Sequence, residues 1–182
     1  MIVTDLNDNI VFPDTIVTIG KFDGFHLGHK KLMETVNAEK HDLKSVVFTF
    51  RTDSAEKHVR NDSPLIPEDE KEKLFSEMGA DYYVLCRLTK EMADTEPEAF
   101  VKDILIDRLH CKRIVCGDDF RFGRDRKGDA ALLSELSEKY GFKLTVIKRE
   151  EYDGMPISST RIRNMIRTDR ETAEKMLGRT VK

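Results

Sequence analysis

Thr15-Ile16-Val17-Thr18-Ile19-Gly20-Lys21-Phe22-Asp23-Gly24-Phe25-His26-Leu27-Gly28-His29 decides the fold class. Its first five residues are β-branched and read as a buried strand. The glycines that follow form a tight loop, and helical patterning from His29 to Lys40 completes a strand, loop and helix. The unit then recurs. Ser45 to Phe50 is a second buried strand, followed by an aperiodic polar stretch from Arg51 to Ser63 that reads as a long loop. Pro67 opens a helix around Leu74, Phe75 and Met78 that stops at Gly79, and Tyr82 to Cys86 is the next strand. Pro97 opens another helix, with Phe100, Val101, Ile104, Leu105 and Leu109 on one face, leading to the strand Arg113 to Cys116. A helix from about Leu132 to Tyr140 ends at Gly141 and precedes the strand Lys143 to Ile147. Five strands separated by helices need crossover connections. The expected fold is therefore α/β, a doubly wound and mainly parallel sheet of about five strands with helices on both faces. Ligands of such sheets sit beyond the carboxyl ends of the strands, where the loops after Ile19, Phe50, Cys116 and Ile147 should gather.

The chain has 182 residues, enough for one domain with a sizeable core. Its 31 Lys and Arg stand against 34 Asp and Glu, a formal charge of −3 that supplies no bulk field for nucleic acid or an anionic membrane. Any phosphate must be bound locally. The start, Met1-Ile2-Val3-Thr4-Asp5, lacks the regions of a signal peptide, and no apolar run is long enough to span a bilayer, so a cytoplasmic protein is expected. Cys86, Cys111 and Cys116 form no C-x-x-C pair and read as buried small hydrophobes. The sequence sets no oligomeric state.

Chemistry concentrates in three places. In the loop after the first strand, the glycines allow close backbone approach, and the helix start offers free N–H groups and a positive dipole end. His26 and His29, three residues apart at that entrance, face one point and can donate hydrogen bonds to phosphate oxygens. A His-x-x-His pair also fits half a zinc site, and a lone histidine there fits a cap. Zinc needs a third protein ligand, and His41, His58 and His110 lie in segments that read as helix ends or loop. The second place is Ser158-Ser159-Thr160-Arg161, where a serine caps a helix running to Arg167 and an anion is the natural partner. The third, Asp118 to Asp129, reads by itself as a solvated loop.

Taken together, these segments carry a resemblance. Gly20-x-Phe22-Asp23-Gly24-x-His26-x-Gly28-His29, then Gly117-x-Asp119-Phe120-Arg121-Phe122-Gly123-x-x-Arg126-x-Gly128-Asp129, then Ile157-Ser158-Ser159-Thr160-Arg161-Ile162-Arg163 resemble, in order and spacing, the FMN adenylyltransferase module of bacterial bifunctional riboflavin kinase/FAD synthetases. That module belongs to the nucleotidyltransferase superfamily. The likeness runs from about Val11 to Lys182 and takes in the closing helix at Leu177-Gly178-Arg179.

The resemblance implies a Rossmann-like nucleotidyltransferase fold and transfer of AMP from ATP to FMN, giving FAD and pyrophosphate. It implies catalytic roles for His26, His29 and Arg161, the histidines at the α-phosphate and Arg161 with Ser158 and Ser159 at the β- and γ-phosphates. Gly20, Phe22, Asp23, Gly24, Gly28, Ser158, Ser159 and Thr160 would bind nucleotide, and Asp119, Phe120, Arg121 and Arg126 flavin. Mg²⁺ would enter with the nucleotide, with Asp119 as its candidate protein contact. One departure stands out. After the second strand the family usually has an acidic residue followed by Pro-His-Pro, whereas this chain reads Phe50-Arg51-Thr52-Asp53-Ser54 at the expected flavin end. In the bifunctional family a riboflavin kinase module follows, and no residues remain here to build one. The expectation is thus a single adenylyltransferase domain over 1–182. A related transferase with another phosphorylated acceptor, and a non-catalytic flavin or nucleotide sensor, are the alternatives.

Overall fold

The structure, a computed structural model, describes residues 1–51 and 64–180. Along the chain run β1 (Ile2–Asp5), β2 (Thr15–Ile19), α1 (Leu27–Glu39), β3 (Lys44–Arg51), α2 (Glu68–Glu77), β4 (Tyr82–Arg87) and a short α3 (Lys90–Ala93). Next come α4 (Pro97–Ala99), which continues in π-helical turns over Phe100–Arg108, and β5 (Cys111–Gly117). The chain then forms α5 (Ala130–Tyr140), β6 (Lys143–Ile147), a hairpin of β7 (Glu151–Tyr152) and β8 (Met155–Pro156), α6 (Ser159–Thr168) and α7 (Arg170–Leu177).

The main sheet has six strands in the order β1-β4-β3-β2-β5-β6, all neighbours parallel. The five expected strands are present. The sixth, β1, is four residues long, pairs only with β4 and leaves Ile2 and Val3 exposed. Its Ile2-Val3-Thr4 run is β-branched, but only Thr4 is buried. β2, by contrast, is buried along its whole length.

Alternating residues of the strands feed two cores, as a doubly wound sheet requires. Val17, Val46, Phe48, Val84 and Ile114 face Phe100, Leu105 and Leu133 from the α4 and α5 side. Ile16, Val47, Tyr83 and Val115 face Leu32, Met33 and Val36 of α1 and Phe75 of α2. Cys86, Cys111 and Cys116 are free thiols buried within the first core, where burial pushes each up to about 12. A third cluster joins α6 and α7 through Ile157, Ile162, Ala173, Met176 and Leu177, with Leu27 and Leu65 packed against it. Among the described residues no helix is long and apolar enough to cross a membrane.

The strand order fixes where a ligand can enter. From β2 the chain steps outward to β3 and β4, then crosses back to lay β5 on the other side of β2. The loops after β2 and β5 therefore leave in opposite directions, and the crevice between them is the ligand position of such sheets.

Candidate active site

His26 is the N-cap of α1 and His29 its third residue. Their rings stack 3.6 Å apart at 19°, and His29 Nδ1 accepts the His26 backbone N–H at 3.2 Å. This is a capping-box arrangement with imidazole in place of the usual carboxylate or amide. It fixes the His29 tautomer, because a nitrogen that accepts from a backbone amide leaves the ring proton on Nε2, as a donor. Burial pulls His26 down to about 4. Burial first, then the charges of His26 and Lys71, hold His29 well below its usual range. Both rings are thus uncharged donors at neutral pH. Gly28 gives the stack its room, since a Cβ there would stand 3.2 Å from Cε1 and Nδ1 of His26.

Behind the pair, Phe22 sets its ring edge-on to His29 at 5.3 Å and to Phe75 at 4.9 Å. Phe22 is 2% exposed, so it shapes the site as a core wedge and not as a wall touching solvent. Asp23 turns to the C-terminal helices. Its carboxylate accepts the Leu65 amide and an Arg163 guanidinium N–H, both at 2.7 Å, while its backbone carbonyl accepts the Ser159 hydroxyl at 2.7 Å. Gly24, at φ +82°, passes so close to Leu65 that a Cβ would meet Leu65 Cδ1 at 2.7 Å. The Gly24 carbonyl is held by Arg179 at 3.0 Å.

These bonds bring the N-terminus of α6 beside that of α1. Ser158 is the N-cap of α6, its hydroxyl accepting the Arg161 amide at 3.2 Å. Neither helix carries an acidic residue in its first turn, whereas α2 opens with Glu68, Asp69 and Glu70. Two positive dipole ends without carboxylates to offset them make an anion site.

A cavity of about 520 Å³ is lined by Gly20, Ser159 and residues of the β5 loop. Phe50, Phe100, Phe120 and Phe122 give it an aromatic lining, with Asp119, Arg121 and Arg126 among its polar groups. Phe120 and Phe122 stack at 13° with 5.4 Å between centroids. Gly20, Ser159, Asp119, Phe120, Arg121 and Arg126 of the sequence-predicted residues therefore share one cavity. His26, His29, Phe22, Asp23, Gly24, Gly28, Ser158, Thr160 and Arg161 do not line it. Arg161 differs most from expectation, because its Nη1 donates to the carbonyls of Tyr152, Met155 and Pro156 and so braces the β7–β8 hairpin. The departing loop after β3 lies at 52–63, outside the described residues.

Lys71, Arg163 and Arg179, to which the sequence assigns no site role, hold the loop at Lys21, Asp23 and Gly24. A signal for Lys71 was present, since it precedes Phe75 by one helical turn and so falls on the apolar face of α2.

The buried histidines also make stability depend on pH. As pH falls below 6.5 the unfolded chain protonates at His26, while the folded chain resists until about 4. Stability is thus full above 6.5 and declines from there to about 4. The loss from His26 alone is about 3 kcal/mol, and His29 adds in the same direction. Urea midpoints at pH 7.5, 5.5 and 4.5 should fall steadily for the wild type and less steeply for His26→Gln. Parallel slopes would show that the histidine is not the cause.

Comparison with known proteins shows the family. A family model described as FAD synthetase matches residues 9–161. The bifunctional riboflavin kinase/FMN adenylyltransferase of Escherichia coli (strain K12) is 34% identical over 168 residues, covering 90% of this chain and 54% of that protein. The FAD synthetase of Listeria monocytogenes is 34% identical, with coverage of 90% and 68%. This chain spans about half the length of the bifunctional relatives it matches. Among solved structures, one described as a macrolide-efflux protein from Streptococcus pneumoniae superposes with a TM-score of 0.86 at 27% identity, covering all of this chain and 61% of that one. The pantoate-β-alanine ligase of Francisella tularensis shares the fold alone, at a TM-score of 0.56 and 15% identity, over 93% of this chain and 80% of that one. With the match spanning the β2 loop, the β5 loop and the start of α6, the chain belongs to the FAD synthetase family.

Proposed function

We propose that this chain is a single FMN adenylyltransferase domain, transferring AMP from ATP to FMN with release of pyrophosphate. The observation that carries this reading is the convergence of two helix N-termini lacking first-turn carboxylates, with the His26–His29 stack at one of them and an aromatic-lined cavity alongside. A triphosphate suits the first feature and a flavin ring the second.

A phosphate oxygen of FMN attacks the α-phosphorus of ATP. The new P–O bond forms as the bond from that phosphorus to the α,β-bridging oxygen breaks, and pyrophosphate carries the electron pair away. The nucleophile is already an anion, so the protein needs no base to create it. What it must supply is alignment and donors aimed at developing charge. His29 Nε2–H is such a donor, held in place by the His26 amide and the Phe22 edge. The α6 terminus, with Ser158, Ser159 and Thr160, receives the β- and γ-phosphates. Arg161 serves this region through the hairpin it braces, and its remaining guanidinium donors are its route to phosphate. Phe120, Arg121, Arg126 and Asp119 take the flavin end.

The residues fit a magnesium ion that comes with the substrate. Among the described residues no group of three or more His, Cys, Asp or Glu could cage a metal. Asp119 is a more than half-exposed carboxylate at the cavity, 4.0 Å from Arg149, which suits one contact to an ion that keeps its waters and phosphate ligands. Bound there, Mg²⁺ would supply charge neutralisation on the phosphates.

Incubation with ATP, Mg²⁺ and FMN, with flavins separated by chromatography, tests the reading. FAD is the expected product. No FAD from FMN would favour another phosphorylated acceptor or a binding role.

A further inference from the structure

Between the end of β2 and the start of α1, Lys21 is the one exposed residue. Its backbone is held on each side. Gly20 donates its N–H to the Phe48 carbonyl at 3.1 Å, the Lys21 carbonyl accepts Lys71 Nζ at 3.5 Å, and Phe22 is buried. The anchored loop thus leaves one side chain exposed, a cation, and that residue lines the aromatic-walled cavity. Among the described residues its ammonium has no ion-pair or hydrogen-bond partner.

The charge of the cavity is unlike that of the chain. Lys21, Arg121 and Arg126 stand against the single carboxylate of Asp119, in a chain whose formal charge is −3. Such a lining suits an anion joined to an aromatic ring. The three cations come from different places. Arg121 and Arg126 belong to the β5 loop with the stacked Phe120 and Phe122, and Arg121 Nη1 donates to the Phe120 carbonyl at 2.9 Å. Lys21 belongs to the loop that enters α1. Ser159, the first residue of α6 and itself part of the cavity lining, donates its hydroxyl to the Asp23 carbonyl of that same loop at 2.7 Å. Lys21 is thus the cation whose own loop joins the cavity to the two helix N-termini.

We propose that Lys21 binds the phosphate of the acceptor, its ammonium holding one phosphate oxygen where the cavity meets the helix N-termini while another oxygen attacks. Identifying that acceptor as FMN rests on the transfer reading above, and the siting of a phosphate at Lys21 does not.

A phosphate monoester carries about −1.5 to −2 charges at pH 7, and in the transfer it must approach a triphosphate of the same sign. Their repulsion opposes the encounter. The helix termini and the histidines serve the triphosphate, so the acceptor's phosphate needs a cation of its own. Lysine suits this task, because a compact ammonium with three donors on a flexible stem can follow the phosphate toward the phosphorus it attacks. Charge leaves that phosphate as the new bond forms, so the ammonium holds the ground state at least as well as the transition state. Its effect therefore falls on capture of the acceptor and not on kcat.

FMN and riboflavin differ only in the phosphate, and quenching of flavin fluorescence reads the affinity of each. Wild type, Lys21→Met and Lys21→Arg are compared in the presence of Mg²⁺ and α,β-methylene ATP, which cannot release pyrophosphate, and FAD formation from ATP is followed in parallel. Wild type should bind FMN more tightly than riboflavin. K21M should bind FMN about tenfold more weakly with riboflavin unchanged, the scale of one charge-assisted hydrogen bond at a solvent-accessible site, and K21R should keep most of the preference. KM for FMN should rise to match in K21M, with kcat and KM for ATP changed much less. Because Lys21 is exposed, the variants should unfold at the wild-type temperature, and K21Q gives the same comparison if K21M does not fold. An undiminished preference for FMN in K21M overturns the proposal, as does weakened binding of the ATP analogue in place of FMN, and FAD made by the wild type would then leave the transfer reading standing. A preference for FMN that depends on Lys21 in a wild type that makes no FAD would defeat only the transfer reading. Binding of neither flavin by the wild type would overturn both.

Discussion

Replacing His29 with alanine is expected to lower kcat by about 10²–10³-fold while KM for ATP changes far less, the scale for removing one preorganised donor to developing charge. The side chain does two jobs, which a second variant separates. Nδ1 accepts the His26 amide and so caps α1, and Nε2–H is the donor. Glutamine at the third helical position can reach back to the same amide, as in an ordinary capping box, yet cannot place a donor where Nε2 stood. His29→Gln should therefore unfold at close to the wild-type temperature and still lose most of the activity. A wild-type kcat in either variant would remove His29 from the mechanism. Loss of activity only in parallel with loss of folding would reduce it to a cap.

The second large effect concerns the metal. EDTA should abolish turnover and added Mg²⁺ restore it, with no change in the unfolding midpoint of the protein alone. Both halves follow from the donor set. A triphosphate and one exposed carboxylate such as Asp119 hold the ion only while nucleotide is present. With no cage among the described residues, removing the metal takes nothing from the fold. Turnover that persists in excess EDTA would contradict the first half, and unfolding by EDTA the second.

The strands that carry the site were legible because their signal is local. A run such as Thr15 to Ile19 is buried on both faces, so every residue announces it, and the glycine punctuation after it marks the loop. β1 was not read as a strand, because its Ile2-Val3-Thr4 run is too short to show a period and what defines it is its pairing with β4, eighty residues away. The β7–β8 hairpin has only two residues per strand, too few for any period to appear.

For the site, the helix entrances were readable from caps and glycines, and Ser158 caps α6 as one of the two serines expected there. Side-chain direction was not. Phe22 and Asp23 sit in the same motif as the histidines, yet their side chains turn into the core and toward Arg163, because positive φ at Phe22 and Gly24 reverses the chain twice. Motif spacing says which residues are near a ligand but not which way they face. The same gap hid Arg161's engagement with the hairpin carbonyls and the contact of Lys71 with the Lys21 carbonyl, the second set by segments fifty residues apart in the sequence.

The most direct test of the central claim uses ATP labelled separately at its α- and γ-phosphorus, incubated with the protein, Mg²⁺ and either FMN or riboflavin, followed by separation of the flavins. AMP transfer predicts that label from the α-position enters FAD when FMN is the acceptor, that γ-label appears only in pyrophosphate, and that riboflavin, which lacks the attacking phosphate, acquires neither. Label from the γ-position in any flavin would mean phosphoryl transfer instead, and α-label absent from the flavins with FMN present would contradict the assignment outright.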